Sequence, residues 1–325
     1  MAIDIGRRQF ISVLGGAAVW PLASRAQGEE QTYRLGILAG RPRNADVFEA
    51  FFDELRLFGF AEGRNLTVLP DGFGLRNEQF PEIATATVSA APNVIVPIGD
   101  PAARIVQDTT RTIPIVAISD DMIVAGLVRS LARPEGNITG VSLLATELDG
   151  KRLEILMEAV PGAHRIATLS DASPDPRKFQ ALQDAVHSRD VELTNYAVSS
   201  SEGIGAAIDA AKSWGATALN VLATPLFSVN RRIVIDRANA TRLPTIFQWP
   251  DMAEDGGLIG YGPRLTTTYR QIARQVAKVM RGVKPTDLPV EQPTTFELVI
   301  NLKTAKALGV TVPSALLTRA DEVIE

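Results

Sequence analysis

Short apolar runs alternate with longer amphipathic stretches along this 325-residue chain, and the alternation occurs as two series of similar length. That rhythm predicts an α/β fold of two doubly wound parallel-sheet lobes. A third observation concerns the end of the chain. A long amphipathic stretch, a Pro-rich linker and one more apolar run are too short for a third domain, so they must complete sheets begun earlier. The chain therefore crosses between lobes more than once, and several crossings make a hinge.

In the first series, Tyr33 to Leu38 reads as a strand. Val47, Phe48, Phe51, Phe52, Leu55 and Phe58 recur at helical spacing, and Gly59 ends that helix. Asn65 to Leu69 is a strand, Gln79 to Ala90 a helix, and Asn93 to Ile98 a buried strand. Pro101 suits the first turn of a helix over Ala102 to Thr110. Ile113 to Ile118 is a strand, Val124 to Leu131 a helix and Asn137 to Ser142 the last strand of this half. The second series gives helices over Thr146 to Val160, Pro176 to Arg189, Glu202 to Trp214 and Asn230 to Thr241. Its strands are Arg165 to Leu169, Glu192 to Tyr196, Ala218 to Leu222, Thr245 to Phe247 and Leu258 to Tyr261. The tail has a helix over Thr266 to Arg281, a stiff linker at Pro285 to Pro289, a strand over Phe296 to Asn301 and a helix over Leu302 to Leu308. The acidic cluster Asp321, Glu322 and Glu325 reads as a solvated end.

At the N-terminus, Arg7-Arg8-Gln9-Phe10-Ile11 leads into an apolar stretch and then Ser24-Arg25-Ala26-Gln27. A basic start, a short apolar run and small residues before the cut predict an export signal cleaved after Ala26. The arginine pair fits a twin-arginine signal; an ordinary secretory signal with two incidental arginines is the alternative. The apolar run is shorter than the roughly 20 residues a spanning helix needs. Cleavage would remove three arginines and one aspartate, taking the net charge from −4 to −6. An acidic chain without basic, aromatic-rich stretches predicts no nucleic-acid partner. The chain has no cysteine, which excludes disulfides, thiol catalysis and thiolate metal sites. With only His164 and His187, far apart in sequence, neither a His-rich metal site nor a His-based triad is expected. No cofactor and no metal are predicted.

Ligands of open parallel sheets sit beyond the carboxyl ends of the strands, where helix N-termini also point. The strand-end loops are Ala39-Gly40-Arg41, Gly99-Asp100-Pro101-Ala102, Ser119-Asp120-Asp121, Ser170-Asp171-Ala172-Ser173, Thr224-Pro225-Leu226-Phe227 and Gln248-Trp249-Pro250. A ligand carboxylate would suit the helix start at Ala102–Ala103. An ammonium would suit Asp120, Asp121 or Asp171, and an apolar or aromatic body Phe227, Trp249 and Tyr261. The candidate ligand-binding set is thus Gly40, Asp100, Pro101, Ala102, Ser119, Asp120, Ser170, Asp171, Thr224, Phe227, Trp249 and Tyr261. Each has a plainer reading: Asp100, Ser119 and Ser170 as helix caps, Trp249 and Tyr261 as core. Catalytic signatures are missing: no Gly-x-Ser-x-Gly, no phosphate-binding P-loop and no His-Glu-x-x-His. Gly203-Ile204-Gly205 follows serines instead of an apolar strand, so it reads as a capped helix start. Asp120-Asp121 reads as a cap with a solvated neighbour.

Several segments together resemble the substrate-binding proteins of ABC importers, in the group with tryptophan- and tyrosine-type members. They are Arg8-Gln9-Phe10-Ile11 to Ala26-Gln27, Glu62-Gly63-Arg64-Asn65, Thr112 to Val116, Ser130 to Gly140, and above all Leu288 to Thr294 with Phe296 to Gly309. The resemblance spans essentially the whole chain. It implies a type I periplasmic-binding fold: two lobes joined by three crossovers that close on a small molecule. The implied lobes are 33–142 with 264–288, and 143–263 with 289–325, after a signal at 1–26. Family members commonly carry Gly-Thr-Pro-Ala at Gly99-Asp100-Pro101-Ala102, Ser-Asp-Pro-Val at Ser119-Asp120-Asp121-Met122, and Asn-Pro at Asp171-Ala172. These departures add carboxylates. One at position 100 would oppose a ligand carboxylate at that helix start, so the expected solute is an amino acid or a small aromatic or organic acid.

The expected mechanism is capture without chemistry. Solute binds one lobe, the other closes over it, and a membrane permease recognises the closed surface. The expected protein is a periplasmic monomer. The alternatives are a sensor that presents its closed form to a receptor, and an exported α/β enzyme using Asp120 or Asp121.

Overall fold

The computed structural model describes residues 32–171, 176–186 and 190–325. The export signal, Ala172, Ser173 and His187 lie outside those residues.

The first half runs β1 (Tyr33–Leu38), α1 (Asp46–Leu57), β2 (Leu66–Val68), α2 (Phe80–Ser89), β3 (Val94–Pro97), α3 (Asp100–Thr109), β4 (Ile115–Ser119) and β5 (Ile138–Ser142). Its strands form one parallel sheet in the order β2-β1-β3-β4-β5. All of its pairs are parallel, so the carboxyl ends of β1, β3, β4 and β5 gather on one side. β3 and β4 are buried along their full length, as strands covered on both faces must be.

The second half runs α4 (Ala145–Ala159), β6 (Arg165–Asp171), α5 (Pro176–Val186), β7 (Glu192–Val198), α6 (Ser201–Trp214), β8 (Ala218–Val221), α7 (Pro225–Val229), α8 (Arg231–Ala240), β9 (Thr245–Phe247), α9 (Pro250–Glu254) and β10 (Ile259–Gly262). The tail adds α10 (Leu265–Met280), β11 (Glu297–Asn301), α11 (Leu302–Leu308), α12 (Ser314–Leu317) and β12 (Glu322–Ile324). The second sheet has the order β12-β11-β10-β9-β8-β6-β7. All its neighbours are parallel except β10 and β11.

The tail moves between the sheets. α10 buries a stripe at Leu265, Tyr269, Ile272, Ala273, Val276 and Met280. Residues three and four apart share one helix face, and here that face meets α1 and the first sheet. α1 answers with Phe48 and Phe51; the Phe48 and Tyr269 rings meet edge to face at 5.4 Å. Burying each of these phenylalanines stabilises the fold by roughly 1.5–3 kcal/mol. After α10, the Val290 and Glu291 amides still donate to Leu131 and Gly140 of the first half. Only then does β11 join the second sheet. The backbone passes from sheet to sheet at Leu143-Leu144, at Pro263-Arg264 and after Glu291. Leu144 takes a left-handed conformation, φ 56°, at the first passage.

Two expectations from sequence are corrected, and two short helices were not foreseen. Val124 to Leu131 is a series of turns, not a helix. The Asp121 carboxylate accepts from the Ile123 and Val124 amides, and Gly126 has φ +65°. Local side-chain bonds therefore displace helical ones. The acidic end is not simply solvated: the Asp321 carboxylate accepts from the Leu298 amide at 2.7 Å, and Glu322 opens β12 and pairs with Arg264 at 3.0 Å. Finally, α7 and α9 are single turns that start on Pro225 and Pro250. They are too short for periodicity to reveal.

Candidate functional site

The carboxyl ends of strands from both sheets face each other across a cleft. Two chambers lie in it. The inner one, about 40 Å³, is lined by Gly40, Arg41, Gly99, Asp120, Leu143, Thr224, Pro225, Ser228, Trp249 and Tyr269, with Ile98, Ile118, Val229 and Leu265. The outer one, about 520 Å³, lies between the Gly74–Phe80 segment and the Val198–Glu202 loop, and shares Gly40, Ile98, Thr224, Pro225 and Val229 with the inner. On the scale of roughly 10–15 Å³ per water, the inner chamber has room for about three waters. The outer one falls within the usual size of a small-molecule site.

The halves touch at the inner chamber. Arg41, just after β1, donates from Nη2 to the Ser228 hydroxyl at 2.5 Å and to its carbonyl at 3.3 Å. Gly99, after β3, has φ +94°, and a Cβ there would lie 2.4 Å from Cγ of Pro225 on α7. Only glycine combines that backbone with such an approach.

The chamber walls are buried and polar in places. Asp120 is 6 % exposed, Trp249 5 % and Tyr269 2 %. Trp249 Nε1 has no hydrogen-bond partner among the described residues. Burial pushes the Tyr269 phenol up to about 12, opposed by the Arg41 charge, so it stays a donor at neutral pH. Burial also holds the Arg41 guanidinium below its ordinary value; Tyr269 opposes that shift and Arg231 adds to it. Burial likewise raises the carboxyl of Asp251, on α9.

Of the residues singled out in the sequence, Gly40, Asp120, Thr224 and Trp249 line the inner chamber, and Gly40, Pro101, Asp171 and Thr224 the outer. The remainder lie off both chambers, for identifiable reasons. The Asp100 carboxylate accepts from the Ser119 hydroxyl at 2.5 Å and from the Asp120 amide at 3.0 Å. Asp100 and Ser119 thus brace the β4 end that carries Asp120. Ala102 is fully buried in the apolar cluster under the first sheet. Ser170 accepts from Asn195 at 3.0 Å. Phe227 is fully buried in core, and Tyr261 packs against the second cluster. Thr224 caps α7 and donates to Asp171 at 3.0 Å. The Gly203 segment is the start of α6, with Ser200 as its N-cap.

Sequence reasoning missed Tyr269 and Ser228 and left Arg41 unranked. Tyr269 sits on the tail helix, far in sequence from any strand end, and nothing local marks it. Arg41 was legible, because it closes a strand-end loop.

A second buried arginine stands beneath the site. Arg152 on α4 is 1 % exposed. It pairs with Asp149 at 2.7 Å and donates to the Tyr261 carbonyl at 2.8 Å and the Gln248 carbonyl at 3.4 Å. Burial lowers its pKa, and the charge of Asp149 opposes that.

Among the described residues, no helix is long and apolar enough to cross a membrane, and no group of three or more histidines or carboxylates could hold a metal ion.

Comparison with known proteins agrees with this geometry. The chain is 27 % identical over 268 residues to a tyrosine-binding protein of Clostridioides difficile, covering 80 % of this chain and 75 % of that one. It superposes with a TM-score of 0.82 on a conserved domain protein from Vibrio cholerae, at 24 % identity and covering 91 % of this chain and 100 % of that one. Against an ABC domain from Streptococcus pneumonia in complex with L-Trp the TM-score is 0.78, at 23 % identity over 90 % of this chain and 99 % of that one. Against the ligand-free, open structure of a Clostridium difficile substrate binding protein it is 0.62, at 23 % identity over 90 % and 99 %. The fold is that of the type I periplasmic binding proteins. The model of the ABC transporter substrate binding proteins matches residues 53–324, and the chain belongs to that family.

Proposed function

We propose that this protein captures one small organic solute, an amino acid or an aromatic or other organic acid, between two lobes and delivers it to a membrane permease without converting it. The observation that carries this reading is the cleft: strand ends of both sheets line it, and the backbone passes between the sheets three times beside it. The ligands named for two relatives, tyrosine and L-Trp, support the solute class.

The lobes in this reading are 33–142 with 264–288 and 143–263 with 289–325. The backbone bonds of Val290 and Glu291 favour moving the last boundary to just after Glu291. Gly40, Pro101, Asp120, Asp171, Thr224 and Trp249 contact the solute. Asp100 and Ser119 support Asp120 from behind. Solute bound to one lobe stabilises closure because only the closed state supplies the second set of contacts. The protein works in the periplasm as a monomer, after export and cleavage behind Ala26.

A thermal-shift screen against amino acids and aromatic acids tests the reading, with mass spectrometry of the solute before and after incubation. At a hundred-fold excess over Kd, a bound solute adds about 2.7 kcal/mol. For a protein of this size that raises Tm by about 4 °C. The solute is recovered unchanged. If nothing raises Tm and nothing co-purifies, the transport reading fails; if the solute is converted, the enzyme alternative replaces it.

A further inference from the structure

We infer that the inner chamber is an acid-group reader: Arg41, Trp249 and Tyr269 hold the carboxylate of the solute there, and the rest of the solute lies in the outer chamber. The inference rests on the solute-binding reading and fixes the orientation that reading leaves open.

Three side chains that carry hydrogen-bond donors, Arg41, Trp249 and Tyr269, line this small chamber. Arg41 uses Nη2 on Ser228, which leaves Nε and Nη1 without partners among the described residues. Trp249 Nε1 is buried and has no acceptor there. A buried donor without an acceptor carries a standing penalty, which a ligand acceptor would remove. The third donor is the Tyr269 hydroxyl, on a side chain 2 % exposed. A guanidinium with two neutral donors suits a carboxylate, through charge-assisted bonds. Asp120 lines the same chamber with a carboxylate of its own, so the acid group of the solute lies toward Arg41 and away from Asp120.

Size separates the two chambers. The inner one, about 40 Å³, admits a carboxylate and little more. The outer one, about 520 Å³, takes the body. The start of α3, where the sequence suggested a carboxylate, is unsuited. Asp100 places its own negative charge there, and Ala102 and Ala103 are fully buried.

Acetate tests the acid reader alone, with acetamide as its neutral counterpart of the same shape. The full chain carrying Trp20→Phe and Trp214→Phe leaves Trp249 as the sole tryptophan, so its emission reports the chamber. Acetate titrated into the millimolar range is expected to change that emission saturably, and acetamide to bind at least about ten-fold more weakly. Arg41→Gln should abolish the acetate response. Tyr269→Phe keeps the ring against Phe48 and should weaken the response, which covers the case in which Arg41→Gln fails to fold. Equal responses to acetate and acetamide, no response to either, or an acetate response unchanged in both variants would overturn the inference. The solute screen separates the two failures. A solute that raises Tm while the acetate test fails sinks only the acid reader. A positive acetate test with no solute in the screen counts against capture of an amino or organic acid and leaves the chamber's chemistry standing.

Discussion

Arg152 and Arg41 are both withdrawn from water, yet the protein uses them in opposite ways. Arg152 spends its donors on Asp149 and on two carbonyls, and so ties α4 to the ends of β9 and β10. Arg41 spends one nitrogen on Ser228 and keeps the others toward a chamber. Both have their pKa lowered by burial, so the shift alone does not separate them. The inventory of partners does. Arg152 is bonded through all three of its nitrogens, which fits a structural role, whereas Arg41 keeps two nitrogens without partners among the described residues, as the proposed ligand role requires.

The largest test of that contrast is Arg152→Met. It leaves Asp149 buried beside an apolar side chain, and breaking such a pair costs about 3–5 kcal/mol. Urea unfolding should show that loss, and Arg152→Met with Asp149→Asn should recover part of it. Arg41→Gln should change stability by under about 1 kcal/mol, since only a partly buried hydrogen bond is lost. Similar losses for the two variants would end the distinction.

A smaller effect comes from pH. The Tyr269 phenol has its folded pKa raised from 10.0 to about 12 by burial. Between those values the folded state holds more protons than the unfolded one, so stability must fall as pH rises through that window. Its contribution is complete below about pH 10 and amounts to about 2–3 kcal/mol lost by pH 12. Tyr269→Phe should flatten this part of the pH–stability curve, and an unchanged slope would place the phenol in water instead of at the chamber wall.

Gly99→Val probes the contact between halves. The backbone at φ +94° costs a non-glycine residue about 1–3 kcal/mol, and the approach to Pro225 adds a clash only when the halves are together. Scattering should report a more open molecule, and solute affinity should fall by more than stability does. Equal losses would mean that Gly99 serves its own strand end and not closure.

The two α/β series were legible because buried parallel strands and amphipathic helices write their periods into the sequence. α1 and α10 show this best, each with its apolar stripe at three- and four-residue spacing. The Val124 to Leu131 segment shows the limit. Its apolar residues suit a helix, but the Asp121 carboxylate and Gly126 set turns instead. Asp120, Asp171, Thr224 and Trp249 could be found because parallel sheets bring strand ends together by rule. Phe227 and Tyr261, found by the same rule, turn into the core, because the rule selects loops and cannot say which way a side chain points.

By itself the sequence determined most of the longer elements, the two-series organisation and the family, since each rests on local periodicity or on contiguous motifs. The tertiary structure alone decided how the tail is shared between the sheets, which serine meets Arg41, and that Tyr269 closes the chamber. Those are contacts between residues far apart in the chain. No local pattern encodes them, because the energy that selects them exists only once both sheets and the tail helix are packed.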